Sequence, residues 1–189
     1  MFLGLKKNIS ISAVAVLVFL GGIFLLRGEK SSVEKQKKEK CSSMTEIKTV
    51  RGDSMEPLFA PEEDVSDLMG FYDCNEVSKN DVVLVSYVGN SAPLLKIVKA
   101  VPGDTFRLEK KDDIWRIFVN EGIVVNSEKK PYALSDERAK EIQFYERDYN
   151  GIIPEKRYLV FGNRIDGSVD STRFGLLGKE SIIAKVEKK

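Results

Sequence analysis

Histidine is absent from this chain, cysteine occurs twice and tryptophan once. The missing imidazole excludes Ser-His-Asp and Cys-His catalysis and removes the commonest zinc ligand. With Cys41 and Cys74 as the only thiols, a cysteine-built structural metal site is not expected either, so we expect no metal and no cofactor. Any acid–base chemistry must use Lys, Asp, Glu, Tyr or water. The two cysteines could form one disulfide outside the cytoplasm or stand as two thiols, and their spacing fixes neither. A dominant charge is lacking as well. Thirty Lys and Arg face 29 Asp and Glu, for a net charge of +1, which gives no basic field for nucleic acid.

What the chain has is one long apolar run. Residues 9–26, ISISAVAVLVFLGGIFLL, carry no charge, and their length sits at the low end of a bilayer span. No small-x-small cleavage site follows, because the run ends in LLRGEK. We therefore expect a single retained transmembrane helix over 9–26, with residues 1–8 as a cytoplasmic N-terminus. Residues 27–44 are charge-dense without an apolar face and read as a solvated linker that could also rest on anionic lipid. Orientation is in conflict. Lys6 and Lys7 precede the run, whereas Arg27, Lys30, Lys35, Lys37, Lys38 and Lys40 follow it. A plain lysine and arginine count would place the C-terminal side in the cytoplasm.

From residue 45 to 189 the pattern changes to short strands. EIKTV, DVVLVSYV (81–88), LLKIVKAV (94–101), DTFRLEK, IWRIFVN and IVVN (104–126), RYLVFG (157–162) and ESIIAKV (180–186) are rich in β-branched residues and divided by turn residues. One short helix is expected within LSDERAKEIQFYER (134–147), capped by Ser135 with Asp136 and Glu137 in its first turn. The expected fold is one mostly β domain of 45–189 on a membrane anchor.

RGDSMEPLF (51–59) presents a serine between Gly-Asp and a Met-Glu-Pro turn, directly after a strand. With histidine absent, the simplest base for Ser54 is a neutral lysine amine, and burial among apolar groups is what makes a lysine neutral. Two lysines lie in the strand LLKIVKAV. Lys96 shares a face with Leu94, Val98 and Ala100, and Lys99 shares one with Leu95, Ile97 and Val101. The pattern does not choose between them, and each could equally be a surface lysine with its stem along the sheet. VPGDTF (101–106) follows as a Pro-Gly turn, and GNRIDGSVDSTRFG (162–175) gathers Arg164, Asp166, Ser168, Asp170, Ser171 and Arg173 in one polar loop.

GDSMEP, KIVKAVPGDTF and GNRIDGSVDSTRFG, in that order and with an apolar run ahead of them, resemble the motifs of bacterial type I signal peptidases. DVVLV and YLVFG match as well. The resemblance covers roughly residues 45–187 and the anchor. It implies a signal-peptidase-like β-fold catalytic domain and a Ser-Lys serine endopeptidase that removes signal peptides from exported preproteins. It makes Ser54 the nucleophile. Lys96 becomes the general base in preference to Lys99, because the family spaces its base five residues from the Pro-Gly-Asp turn. Ser168 takes the place of the serine that orients the base, and Asp170 with Arg173 the supporting pair. Met55 shields the site, and Gly52 stands where some members carry an oxyanion-assisting serine. Departures are Gly162-Asn163-Arg164 for Gly-Asp-Asn, Asp170-Ser171-Thr172-Arg173 for Asp-Ser-Arg, and Asn80 for the glycine before the DVV strand.

The implied partners are preproteins with small residues before the cut, and the lipid bilayer. The implied location is the plasma membrane, single-pass, with the catalytic domain on the extracytoplasmic side. Alternatives are a specialised peptidase of conjugation or pilin maturation, and an inactive membrane-tethered binding module. A self-cleaving repressor relative is disfavoured by the apolar run.

Overall fold

The computed structural model describes residues 43–89 and 92–189. The anchor expected over 9–26, the linker over 27–44 except its last two residues, and Cys41 lie outside the described residues. Among the described residues no helix is long and apolar enough to cross a membrane. Residues from Ser42 to Lys189 fold as one compact unit. Cys74 is disulfide-bonded, so it is not a free thiol.

The domain is mostly β, as expected. Ten strands run in chain order: β1 (Met44–Thr49), β2 (Asp64–Met69), β3 (Val82–Val85), β4 (Leu94–Ala100), β5 (Phe106–Lys111), β6 (Ile114–Val119), β7 (Gly122–Ile123), β8 (Arg157–Phe161), β9 (Leu177–Gly178) and β10 (Ile182–Lys188). One sheet of seven strands has the order β1-β2-β10-β3-β4-β8-β9, and a second has the order β5-β6-β7. The pairs along the first sheet are antiparallel.

The helix expected over 134–147 is α1 (Asp136–Asp148), and Ser135 caps it by accepting from Arg138 N. Asp136 and Glu137 in its first turn suit the positive end of the helix dipole. A second helical turn, α2 (Ser171–Phe174), was not expected. It begins where the Asp170 carboxylate accepts from Thr172 N (3.0 Å), a cap that sequence periodicity cannot reveal in four residues. Strand β2 also went unread. Its DVSDLM is weak in β-branched residues and is recruited by pairing to β1 and β10 on both sides.

Three buried clusters hold the unit together. Val83, Val85, Val98, Tyr158 and Val160 fill one. Val50, Met55, Phe59, Val65, Ile97 and Val186 fill another. The third packs Ala100, Leu159 and Phe161 against Ile117 of β6 and Ile142 of α1. The shift from one cluster to another along β4 has a local cause. Val98 pairs with Val160 but Ala100 pairs with Leu159, so the register slips at Lys99. A bulge of this kind breaks the two-residue alternation. Ala100 therefore does not share a cluster with Val98, against the expectation from simple alternation.

The bulged residue is itself buried. Lys99 is 8% exposed, donates to Val125 O at 2.9 Å and lies 5.5 Å from the Tyr132 ring centroid. Burial lowers its amine to about 8. In the unfolded chain a lysine titrates near 10.4, so between these values the unfolded state binds the extra proton and stability rises with pH. Lys99→Met removes that rise. The unfolding free energy of wild type minus that of Lys99→Met, from urea melts, should grow by about 2–3 kcal/mol between neutral pH and the ordinary lysine value. A difference that stays flat with pH would show an amine as free to ionise in the fold as out of it.

Candidate active site

The loop between β1 and β2 carries Ser54. Val50 N donates to Glu63 O (2.8 Å) and Glu62 N to Val50 O (2.9 Å), which closes its base. Inside it, Glu56 N donates to Asp53 O and Phe59 N to Met55 O, both at 3.0 Å. Met55 and Phe59 are buried with Val50, Val65 and Ile97, so they pin the loop to the core and leave Ser54 half-buried beside the sheet. Phe59 thus belongs to the packing. Gly52 has φ +76°, a conformation that a side chain would strain even though open space surrounds it.

The far end of the chain fixes the same loop. Gly162 and Asn163 follow β8 directly. Asn163 N donates to Ser54 O at 2.7 Å. The buried Asn163 side chain donates to Glu56 O (3.0 Å) and Ser127 Oγ (2.8 Å) and accepts from Ser127 N (2.9 Å). A Cβ on Gly162 would stand 2.3 Å from Ser168 Oγ and 2.8 Å from Ser54 O, so only glycine lets these groups meet. Arg164 is half-exposed and bonds Asp166 and Asp53, the residue before the serine.

Strand β4 brings Lys96 to this loop. Lys96 is 1% exposed, and its Nζ lies 3.2 Å from Ser54 Oγ and donates to Leu95 O at 2.8 Å. Burial lowers its amine to about 8, against a smaller opposing pull from Asp170. The reading of Lys96 and Lys99 as surface lysines therefore fails for both, since each is buried. Only Lys96 reaches Ser54. An amine that is neutral for part of the time near neutral pH, at this distance from a hydroxyl, can take its proton.

Ser168 lies in the same hollow as Ser54 and Lys96. Its hydroxyl donates to Asp170 Oδ2 at 2.7 Å. Asp170 is 1% exposed and accepts also from Gly162 N, Thr172 N and Thr172 Oγ1. Its arginine partner is not the expected Arg173, which is exposed and bonds Glu137. The partner is Arg138 of α1, whose Nη2 lies 3.3 Å from Asp170 Oδ1. Arg138 is buried and also donates to Thr172 Oγ1, Asp166 O and Ser168 O. A Cβ on Gly167, where φ is +115°, would fall 0.9 Å from Arg138 Nη1.

Arg138 is the site residue that the sequence reading missed. It sat among helix-surface residues, and only its place in the first turn beside the Ser135 cap could have flagged a side chain near a loop. Two hollows flank Ser54. One of about 430 Å³ is lined by Val50, Met55, Val65, Asp67, Leu84 and Leu95 among others. One of about 320 Å³ is lined by Arg51, Gly52, Lys96, Arg164, Gly167 and Ser168 among others. Among the described residues no group of acids and thiols could hold a metal ion.

This mostly β domain falls in the class of serine peptidases, hydrolases of the peptide bond. The model of the family described as signal peptidase, peptidase S26, matches residues 41–188, and the chain belongs to that family. It is a signal-peptide-cleaving peptidase whose substrates are preproteins that carry such peptides. Signal peptidase IB of Staphylococcus aureus strain COL is 28% identical over 151 residues, covering 73% of each chain. The protein of the same name from strain N315 aligns with the same figures. A solved structure of signal peptidase I from Enterococcus faecalis V583 is 23% identical, covers 59% of this chain and 97% of that one, and superposes with a TM-score of 0.34.

The clasp on Asp170 gives a sharp contrast between two arginines. Arg138→Met leaves the buried carboxylate without its cation and should cost about 3–5 kcal/mol in urea denaturation. Gly167→Ala should lose a similar amount by displacing the guanidinium. Arg173→Met should change stability by less than about 0.5 kcal/mol, because its pair is exposed. Equal losses at the two arginines would remove the clasp from the account.

Proposed function

We propose that Ser54 and Lys96 are a catalytic dyad and that the chain is a membrane-anchored serine endopeptidase. The observation that carries this reading is the 3.2 Å separation of Lys96 Nζ from Ser54 Oγ with the lysine 1% exposed. The neutral Lys96 amine takes the Ser54 proton as Oγ attacks the scissile carbonyl. The resulting ammonium returns that proton to the leaving amine, which departs as the new N-terminus. A water then gives a proton to Lys96 and attacks the acyl-enzyme, and the proton goes back to Ser54 Oγ as the acid leaves. The oxyanion is held by backbone N–H groups. The Ser54 N–H donates to no acceptor among the described residues and is free for this task. Such a donor is worth about 3–4 kcal/mol in the transition state. Gly52 adds no hydroxyl.

Ser168, Asp170 and Arg138 position the amine. Ser168 Oγ bonds Asp170 in the same hollow as Lys96, whose amine bonds Ser54 Oγ and Leu95 O rather than Ser168, and Met55 lies buried next to Ser54. Arg138 supplies to Asp170 the cation that Arg173 does not, which weakens the case for an inactive module on this scaffold. Residues 9–26 form the anchor, 27–44 the linker and 45–189 the catalytic domain, which faces away from the cytoplasm. The motif order outweighs the lysine count, since that rule is statistical and the basic linker can rest on lipid. A substrate whose own apolar segment lies in the bilayer would meet such a domain at the membrane surface. Its residues before the cut enter the apolar hollow as an extended strand.

Ser54→Ala and Lys96→Ala should each lower the cleavage rate of a small-x-small preprotein by about a thousandfold or more, with the fold intact by circular dichroism. Lys99→Ala should retain activity. If Lys99→Ala abolishes cleavage and Lys96→Ala does not, the base is misassigned. A reporter fused to the C-terminus should be active only outside the cytoplasm.

The active form of Lys96 is the neutral one, so kcat/KM should rise with pH through about 8 and level off above it. Lys96→Arg should be inactive at every pH, because a guanidinium does not lose its proton. A rate already flat from pH 6 upward would point to another base.

A further inference from the structure

Asp67 lies in the middle of β2, opposite Glu46 of β1 and Val186 of β10. It is 1% exposed, and its Oδ2 meets no donor among the described residues. A buried acceptor left unmet costs about 1–3 kcal/mol, and more when charged. Lys48, across the strand pair, does not answer it, because its ammonium goes to Glu46 Oε2 at 2.8 Å. Burial raises the Asp67 carboxyl above its ordinary value, with the Lys48 field pulling the other way. Val65 on the same strand and Val186 across from it are hydrocarbon in the same cluster, and an apolar side chain at 67 would complete that layer. A carboxyl retained at such cost is explained when a bound molecule supplies the missing donor.

The molecule that can do so is the one that enters the hollow beside Ser54. Asp67 lines the same cavity of about 430 Å³ as Ser54 and Met55, and it is the one carboxylate among the described residues that do so. Val50, Val65, Leu84 and Leu95 make much of the remaining wall apolar. In such surroundings a single polar group decides orientation and preference. Lys48 and Arg51 also line the cavity, so an incoming ammonium would meet two cations, and an incoming carboxylate would meet Asp67. An uncharged donor avoids both conflicts.

We propose that Asp67 forms a subsite for a hydroxyl-bearing side chain, serine or threonine, among the signal-peptide residues bound before the cut. This rests on the reading of the Ser54 hollow as the peptide site. The hydroxyl donates to the carboxyl, and the rest of the small side chain lies against the apolar wall. A site built to bond a hydroxyl rejects the analogue that lacks it, because the buried acceptor then stays unmet.

The test compares threonine with valine, which match in shape and differ in the hydroxyl. Peptides spanning a cut site are made with each residue at every position before the cut in turn. Their Kd is measured by calorimetry on the full chain carrying Ser54→Ala, so that no turnover is needed. At one position threonine should bind about tenfold to a hundredfold tighter than valine. Asp67→Leu in the same background should erase or invert that preference without lowering the melting temperature. Asp67→Asn, which keeps an acceptor in the same volume, should retain part of it. Equal Kd values at all positions, or lysine bound more tightly than threonine, would overturn the proposal. The two readings fail separately. Discrimination through Asp67 in a protein whose wild type cuts nothing would sink the catalytic dyad alone. Cleavage by the wild type with threonine and valine treated alike throughout would sink the subsite alone.

Discussion

The exclusion of water from the Lys96 amine is the constraint on which the rest of the site depends. A lysine in water is an acid at neutral pH, and only the loss of hydration makes it a base. Here that loss comes from the centre of the sheet. Lys96 pairs laterally with Val83 and sits in a strand that is flanked by β3 and β8. The surroundings that depress the amine are hydrocarbon, and the nearby carboxylate of Asp170 limits how far the depression goes. The site is therefore tuned by a balance between burial and one acid. That balance explains why Asp170 is itself so heavily bonded. An Asp170 without Arg138 and its four hydrogen-bond donors would draw more strongly on Lys96, and the amine would be pulled back towards its charged form.

Glycines at two close approaches make this arrangement possible. Gly162 allows the Ser54 carbonyl and the Ser168 hydroxyl to converge on one point, and Gly167 leaves room for the Arg138 guanidinium. The polar loop after β8 is thus a packed object whose backbone and side chains interlock. Its departures from the family pattern are absorbed by residues from other parts of the chain. Asn163 replaces an acid yet bonds both the Glu56 carbonyl and Ser127, and the displaced Arg173 is substituted from another element altogether.

How much of this was legible in the sequence follows from how local each signal is. The strands with dense β-branched residues and the capped helix α1 could be read because their information lies within a few neighbours. Strand β2 could not, since partners far along the chain create it, and the turn α2 could not, since four residues show no period. Ser54 was marked by its own flanking residues. Lys96 and Lys99 were inseparable by alternation, because both are buried and the bulge at Lys99 is a property of pairing with β8. It took resemblance to favour one, and the geometry brings that one to Ser54. Arg138 and Asp67 were invisible for the same reason. An arginine in a helix and an aspartate in a weak strand look like surface residues until the elements that cover them are in place.

The bonds from Asn163 to Ser54 and Glu56 join parts of the chain 107 residues apart at the second of these contacts. Loops of that span close late, after local structure has formed. A growing chain that has released Ser54 and even Lys96 from the ribosome still lacks the segment that seats the serine. The Ser54 hydroxyl and the Lys96 amine consequently meet only when nearly the whole domain exists, so under the proposed dyad the order of synthesis itself guards against premature proteolysis.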